Sequence, residues 1–207
     1  MKKAKHNLFI YNFFKLYILL KMKRCFSNVV ISGETVTDNK SVLIIANHVS
    51  WWDGFWVMYL NMKMFHKRFH FMMLDEQLKK HWFFSYTGGY PIKKRSHDII
   101  ECLNYTSDLL NDTKNMVLMF PQGSLESLYQ QLFVFEKGVE RVLKNKIGKT
   151  EIIFVANLID YFRNPKPSLF INYLNYTGKS TDKRTIEEAY NSFYNDAISH
   201  HIKLNRG

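Results

Sequence analysis

Before Glu34 the chain has no acidic residue, although Lys2, Lys3, Lys5, Lys15, Lys21, Lys23 and Arg24 all lie there. That asymmetry points to a polyanionic partner, either nucleic acid or anionic lipid. No RNP, zinc-finger or basic-zipper pattern is present, which sets nucleic acid aside. Cysteine is scarce: Cys25 and Cys102 show neither a CxxC nor a Cys/His spacing. A disulfide framework and a structural zinc site are thereby excluded, and a reducing compartment is the simpler reading. There are no repeats, no low-complexity tracts and no Pro/Gly/Ser-rich linker. A chain of 207 residues without them reads as one domain around a single core.

Nor is there a long apolar run. Leu8–Leu20, LFIYNFFKLYILL, spans 13 residues and includes Asn12 and Lys15. A membrane-spanning helix needs about 20 apolar residues. No small-residue cleavage site follows, so a signal peptide is not indicated. Flanked by KKAKH and KMKR, the segment fits an amphipathic helix in the headgroup layer, with aromatics at the acyl boundary and lysines at lipid phosphates. The plainer alternative is a helix packed on the protein's own core. Residues 1–24 are accordingly expected to be a membrane-associating helix, and 25–207 the main domain, held peripherally or monotopically at the cytoplasmic face of the membrane.

What is present is an alternation of strand and helix patterns. Asn28–Ser32 is a short β-branched run, and Gly33 with Asp38-Asn39 marks a turn. Ser41–Ala46, SVLIIA, is apolar throughout its interior, as a strand buried on both faces would be. A helix is expected over 50–62, a strand over 69–73, and a helix over 76–84 capped by Asp75. A short strand at 90–92 follows Gly88-Gly89. A helix of about four turns then begins at Ser96 or Asp98, with Ile99, Leu103, Leu109 and Leu110 inward. Strands follow at 116–120, 151–155 and 168–173, with a helix after Gly138 and a last amphipathic helix from Thr181-Asp182 to about Leu204. This order predicts a single α/β domain with a mostly parallel central sheet flanked by helices. Reactive residues in such sheets gather in loops at the carboxyl ends of strands.

Two motifs sit at such ends. Asn47-His48-Val49-Ser50-Trp51-Trp52-Asp53 directly follows SVLIIA. A tight turn can bring the Asp53 carboxylate onto one imidazole nitrogen of His48. It would thereby set the tautomer and leave the other nitrogen to take a proton. By residue type alone, a helix-capping or core histidine is an equal reading. Phe120-Pro121-Gln122-Gly123-Ser124 stands at the end of the strand NMVLMF; Pro121 and Gly123 shape a tight loop whose N–H groups can face an anion, or the segment is simply a turn. A third segment, Gly89-Tyr90-Pro91-Ile92-Lys93-Lys94-Arg95, reads by charge as a solvated basic loop.

Asn-His, four residues, then Asp is the signature of the glycerolipid acyltransferase family, which includes the 1-acylglycerol-3-phosphate acyltransferases, and the chain resembles that family over about Ser41–Leu158. The resemblance implies His48 as general base and Asp53 as its partner, with Asn47 beside them at the substrate. It implies that Lys93, Lys94 and Arg95 bind the acceptor's phosphate, where Arg95 offers a planar fork. It implies acceptor contacts from Pro121, Gln122, Gly123 and Ser124. The family's usual form there is Phe-Pro-Glu-Gly; Gln122 replaces the glutamate, and Glu126 stands nearby. The family's proline-containing strand has its counterpart in Phe154–Leu158, without proline. The double Trp, FMMLDEQLKKHWFF and FPQG are similar to a sub-branch that includes enzymes acylating glycosylated carotenoids.

The implied reaction moves a fatty acyl group from acyl-CoA or acyl carrier protein to a hydroxyl of a lysophospholipid, or alternatively of a glycosylated lipid or carotenoid. It needs no metal and no cofactor beyond the donor thioester. Membrane lipids, the donor and acyl carrier protein are the expected partners, and nucleic acid is not. No GxSxG motif appears, which argues against a covalent hydrolase. Two rivals stay open: a non-catalytic binder of anionic lipid or nucleic acid, and a thioesterase in which water replaces the acceptor.

Overall fold

The structure is a computed structural model describing residues 2–34, 39–93 and 96–204. The expected turn at Asp38 lies outside the described residues. Helix α1 (Leu8–Cys25) is followed by β1 (Asn28–Gly33), β2 (Ser41–Ala46), α2 (Asp53–Leu60), β3 (Arg68–Leu74), α3 (Asp75–Lys80) and β4 (Gly89–Ile92). Then come α4 (Ser96–Leu109), β5 (Asn115–Met119), α5 (Val139–Val142), β6 (Thr150–Asp160), β7 (Ser168–Asn175) and α6 (Lys183–Leu204). The strands form one seven-stranded sheet in the order β1-β7-β6-β2-β5-β3-β4. Among the described residues, pairing is parallel except between β6 and β7. Residues 161–167 alone join those two strands, and a parallel crossover needs a dozen residues or more.

Side chains of β2 alternate between two cores. Val42, Ile44 and Ala46 pack with Met116, Leu118, Ile153 and Val155 beneath α1 and α2. Leu43 and Ile45 pack with Val117, Met119, Ile152 and Phe154 beneath α4, α5 and α6. Every residue of β2 is buried, as expected of a strand covered on both faces.

Several elements differ from expectation, for identifiable reasons. Helix α2 starts three residues late because Ser50–Trp52 form a turn onto Asp53, and it ends in a π-helical turn over Asn61–Phe65. The segment after Asp75 divides into α3 and a 3-10 helix over Trp82–Tyr86, and Asp75 is the first residue of α3 rather than its cap. The helix after Gly138 is only four residues long. Strand β6 outruns its expected end because it pairs with β7 from Ile153↔Asn175 to Asp160↔Ser168.

The N-terminal helix belongs to the core. The Asn7 side chain caps it by accepting from the N–H groups of Phe9 and Ile10. Ile18 and Met22 are buried among Trp56, Val57 and Leu60, while Leu8, Phe9, Phe13, Leu16, Leu19 and Leu20 are exposed. Residues 1–24 are thus not a detached appendage. No helix among the described residues is long and apolar enough to cross a membrane.

Strand order brings distant segments together. β5, late in sequence, inserts between β2 and β3, with Ile45 opposite Met119. The loops that follow β2 and β5 therefore lie side by side.

Candidate active site

His48 leaves the end of β2 and turns back on itself. Its Nδ1 lies 3.0 Å from Asp53 Oδ2. The same oxygen accepts from the N–H groups of Val49 at 2.7 Å and Ser50 at 2.8 Å. A five-residue turn achieves this because Asp53 opens α2, where the helix N-terminus favours a carboxylate. Asp53 is fully buried. Burial pushes its carboxyl above the ordinary value, against the three hydrogen bonds and the nearby imidazole, which favour ionisation. With Nδ1 held by a carboxylate acceptor, Nε2 is the ring nitrogen free to take a proton.

The loop after β5 holds His48 from three further directions. Its ring stacks on Phe120, with centroids 4.0 Å apart and planes inclined by 9°. Its carbonyl accepts from Glu126 N–H at 2.8 Å. Its N–H donates to the side-chain oxygen of Gln122 at 3.0 Å, while the Gln122 amide nitrogen donates to Ala46 O at 3.3 Å; this is the amide orientation that satisfies both neighbours. Gln122 is 4% exposed. Its amide thus couples the end of β2 to the loop after β5. Gly123 closes the turn at φ +70° with its N–H on Phe120 O, a backbone region that favours glycine.

Asn47, expected at the substrate, is fully buried and faces the other way. Its Nδ2 donates to Asn157 O at 3.0 Å, and its Oδ1 accepts from Asn157 N–H at 2.9 Å. It clips β2 to β6 and does not line the cavity described next. The proline-free segment Phe154–Leu158 is the β6 side of this brace.

A cavity of about 900 Å³ opens at His48. Of the expected contacts, His48, Lys93, Pro121, Gln122, Gly123 and Ser124 line it. Lys93 is exposed, with Nζ 3.8 Å from Asp98 Oδ2. Lys94 and Arg95 lie outside the described residues. The remaining lining is mostly apolar, from α1, α2, β3, α4 and β5. Among the described residues no group of three or more His, Cys, Asp or Glu is arranged to hold a metal ion.

A histidine–carboxylate pair at a strand end, facing an apolar cavity, is the geometry expected of the resemblance noted above. Residues 28–156, more than half of the chain, match the family model described as Acyltransferase. The chain belongs to the glycerolipid acyltransferase family. No match was found among curated proteins. The family segment of this acyltransferase runs from β1 into β6 and so includes every residue that holds His48. Sequence reading missed two features of the candidate site. One is Phe120 as the platform for the imidazole; the other is Glu126 N–H on the His48 carbonyl. An aromatic residue at the end of a buried strand was the available signal for the first. The second is a backbone contact, which no side-chain pattern encodes.

Proposed function

We propose that this acyltransferase moves a fatty acyl group from acyl-CoA or acyl carrier protein to a hydroxyl of a lysophospholipid, with His48 as general base oriented by Asp53. The observation that carries this reading is the 3.0 Å Nδ1–Oδ2 contact at the mouth of an apolar cavity. Nε2 takes the acceptor's hydroxyl proton as that oxygen attacks the thioester carbonyl carbon. The tetrahedral intermediate collapses, the C–S bond breaks, and the imidazolium returns the proton to the leaving thiolate. Asp53 balances the imidazolium while it exists. No covalent enzyme intermediate forms.

Lys93 and Lys137 line the same cavity, beside Glu136, and the two cations favour an acceptor that carries phosphate. A sugar-bearing acceptor would use Gln122 as a neutral contact that both donates to and accepts from hydroxyls. That reading loses support because the amide is engaged with Ala46 and His48.

The reading includes a place on an anionic membrane surface, at the cytoplasmic face. What supports it is the exposed apolar face of α1, the basic residues Lys23 and Arg24 at its end, and the exposed Trp51 and Trp82. Lys21 lies over the rings of Tyr17 and Trp52, at 5.8 and 5.4 Å from their centroids.

The test is transfer from a labelled acyl thioester to a lysophosphatidate, with the lipid product identified. His48→Ala is expected to lose at least about 10²-fold in turnover with the fold retained. Asp53→Asn is expected to lower kcat sharply with little change in acceptor KM, since an amide cannot balance an imidazolium. Retention of more than about a tenth of wild-type turnover by His48→Ala would refute the general-base role.

A further inference from the structure

We infer that the cavity holds two apolar chains at once, one on each face of the sheet, so that the acceptor is a single-chain lipid whose own chain enters the protein. This rests on the acyl-transfer reading above and goes on to say how its two substrates are told apart.

The cavity is lined from both faces. On β3, Phe69 and Phe71 belong with the α1/α2 core, and Met72 with the α4 core. On β5, Leu118 faces the first and Met119 the second. All five line one continuous cavity. The two faces communicate because β5 stops early. Phe71 is level with Leu118, so β5 ends level with Met72, while β3 runs on to Leu74 beside Ile92 of β4. The sheet therefore has a notch at the carboxyl end of β5, next to the loop that carries Phe120 and to His48. A volume of about 900 Å³ stands at the upper end of the roughly 300–1,000 Å³ usual for ligand cavities.

The two arms differ in charge. The α1-side arm is walled by Tyr11, Phe14, Ile18, Met58 and Phe84, none of which carries a charge. The α4-side arm is walled by Ile99, Leu103 and Met119, and the charged lining residues Lys93, Glu136 and Lys137 belong to it among the described residues. Lys93 pairs with Asp98 of α4. Lys137 precedes Gly138, which abuts Leu103 so closely that an added Cβ would lie 2.9 Å from Leu103 Cδ1. A donor acyl chain is uncharged as far as its thioester and matches the first arm. A lysophospholipid has a chain joined through glycerol to a phosphate and matches the second, with the phosphate at the lysines. The donor carbonyl and the acceptor hydroxyl then meet at the notch, beside His48.

The experiment fills one arm at a time in the full-length enzyme. Met58→Trp narrows the α1 side and Ile99→Trp the α4 side, with Met58→Phe and Ile99→Phe as milder variants that overpack less. Thermal melting confirms folding. Kinetics use acyl thioesters and lysophosphatidates of graded chain length. Met58→Trp is expected to shift the preferred donor to shorter chains and leave acceptor preference unchanged. Ile99→Trp is expected to raise KM for long-chain acceptors by about fourfold for each methylene excluded, with the donor profile unchanged. If both variants alter only the donor profile, a single chain occupies the whole cavity and the inference is overturned. If acceptor KM ignores Ile99→Trp and Ile99→Phe, the acceptor's chain stays in the bilayer, which equally overturns it while leaving the acyl-transfer reading intact. A wild-type enzyme that acylates no single-chain lipid overturns both together.

Discussion

Replacing Gln122 by Glu is expected to harm this enzyme in a pH-dependent way. In the wild type the Gln122 amide does two jobs, accepting from His48 N–H and donating to Ala46 O. A carboxylate keeps the first and fails the second, since it brings an oxygen lone pair against the Ala46 carbonyl in a site only 4% exposed. Leaving a buried acceptor without a donor costs about 1–3 kcal/mol. That range corresponds to roughly 5–150-fold, an upper bound on the loss of turnover if all of it goes into displacing His48. Protonation restores a donor, so the introduced carboxyl has a folded-state pKa raised above its unfolded value. Its contribution is therefore fully favourable below the unfolded pKa and is lost as pH rises through the folded one. The variant should approach wild-type stability in acid and fall behind it towards neutral pH. The ratio of variant to wild-type kcat should follow the same course. Thermal melts and steady-state kinetics across pH, with a lysophosphatidate and with an uncharged glycolipid acceptor, give both readings. A ratio independent of pH, or an effect confined to the KM of one acceptor, would show that the side chain faces the acceptor and would refute the clamp.

Three further outcomes follow from burial and exposure. Deleting residues 1–24 removes Ile18 and Met22 from the core, at roughly 1.5–3 kcal/mol for each buried side chain. The truncated chain should melt markedly lower rather than persist as an intact soluble domain; an unchanged Tm would contradict the packing. Phe13→Asp with Leu20→Asp alters only exposed positions and should leave Tm nearly unchanged, while binding to anionic vesicles falls at least about tenfold as apolar contact is lost. Vesicle binding equal to wild type would remove this face from the membrane reading. His70, held to about 4 chiefly by burial and secondly by His6, is a base with a depressed folded-state value. The unfolded chain binds the extra proton between about pH 6.5 and 4, so stability should decline as pH falls through that window, by about 3 kcal/mol in all. His70→Gln should remove most of that slope in acid unfolding by denaturant; an unaltered slope would place the titration elsewhere.

What the sequence determined by itself is local. SVLIIA declares a strand covered on both faces because six successive positions carry no charge and four in a row are aliphatic. The His48–Asp53 contact was legible because only five positions separate the two, and a turn leading into a helix closes such a distance without reference to the rest of the chain. The alternation of strands and helices likewise implied a mostly parallel sheet. Tertiary structure alone decided the rest. Nothing in the periodicity of NMVLM says that β5 lies between β2 and β3, yet that placement puts Phe120, Gln122 and Glu126 around a histidine more than 70 positions earlier. It also makes the notch that joins the two arms of the cavity. Asn47 shows the same limit at a single residue. Its neighbour in sequence is the proposed base, but its side chain points to β6, because the register Ala46↔Val155 leaves Asn157's backbone groups within its reach. α1 reads as a surface helix from its lysines, yet Ile18 and Met22 pack beneath α2. Strand order and side-chain direction depend on which distant segments compete to cover the same apolar face. That competition is settled by the whole chain at once, and no short window of sequence contains it.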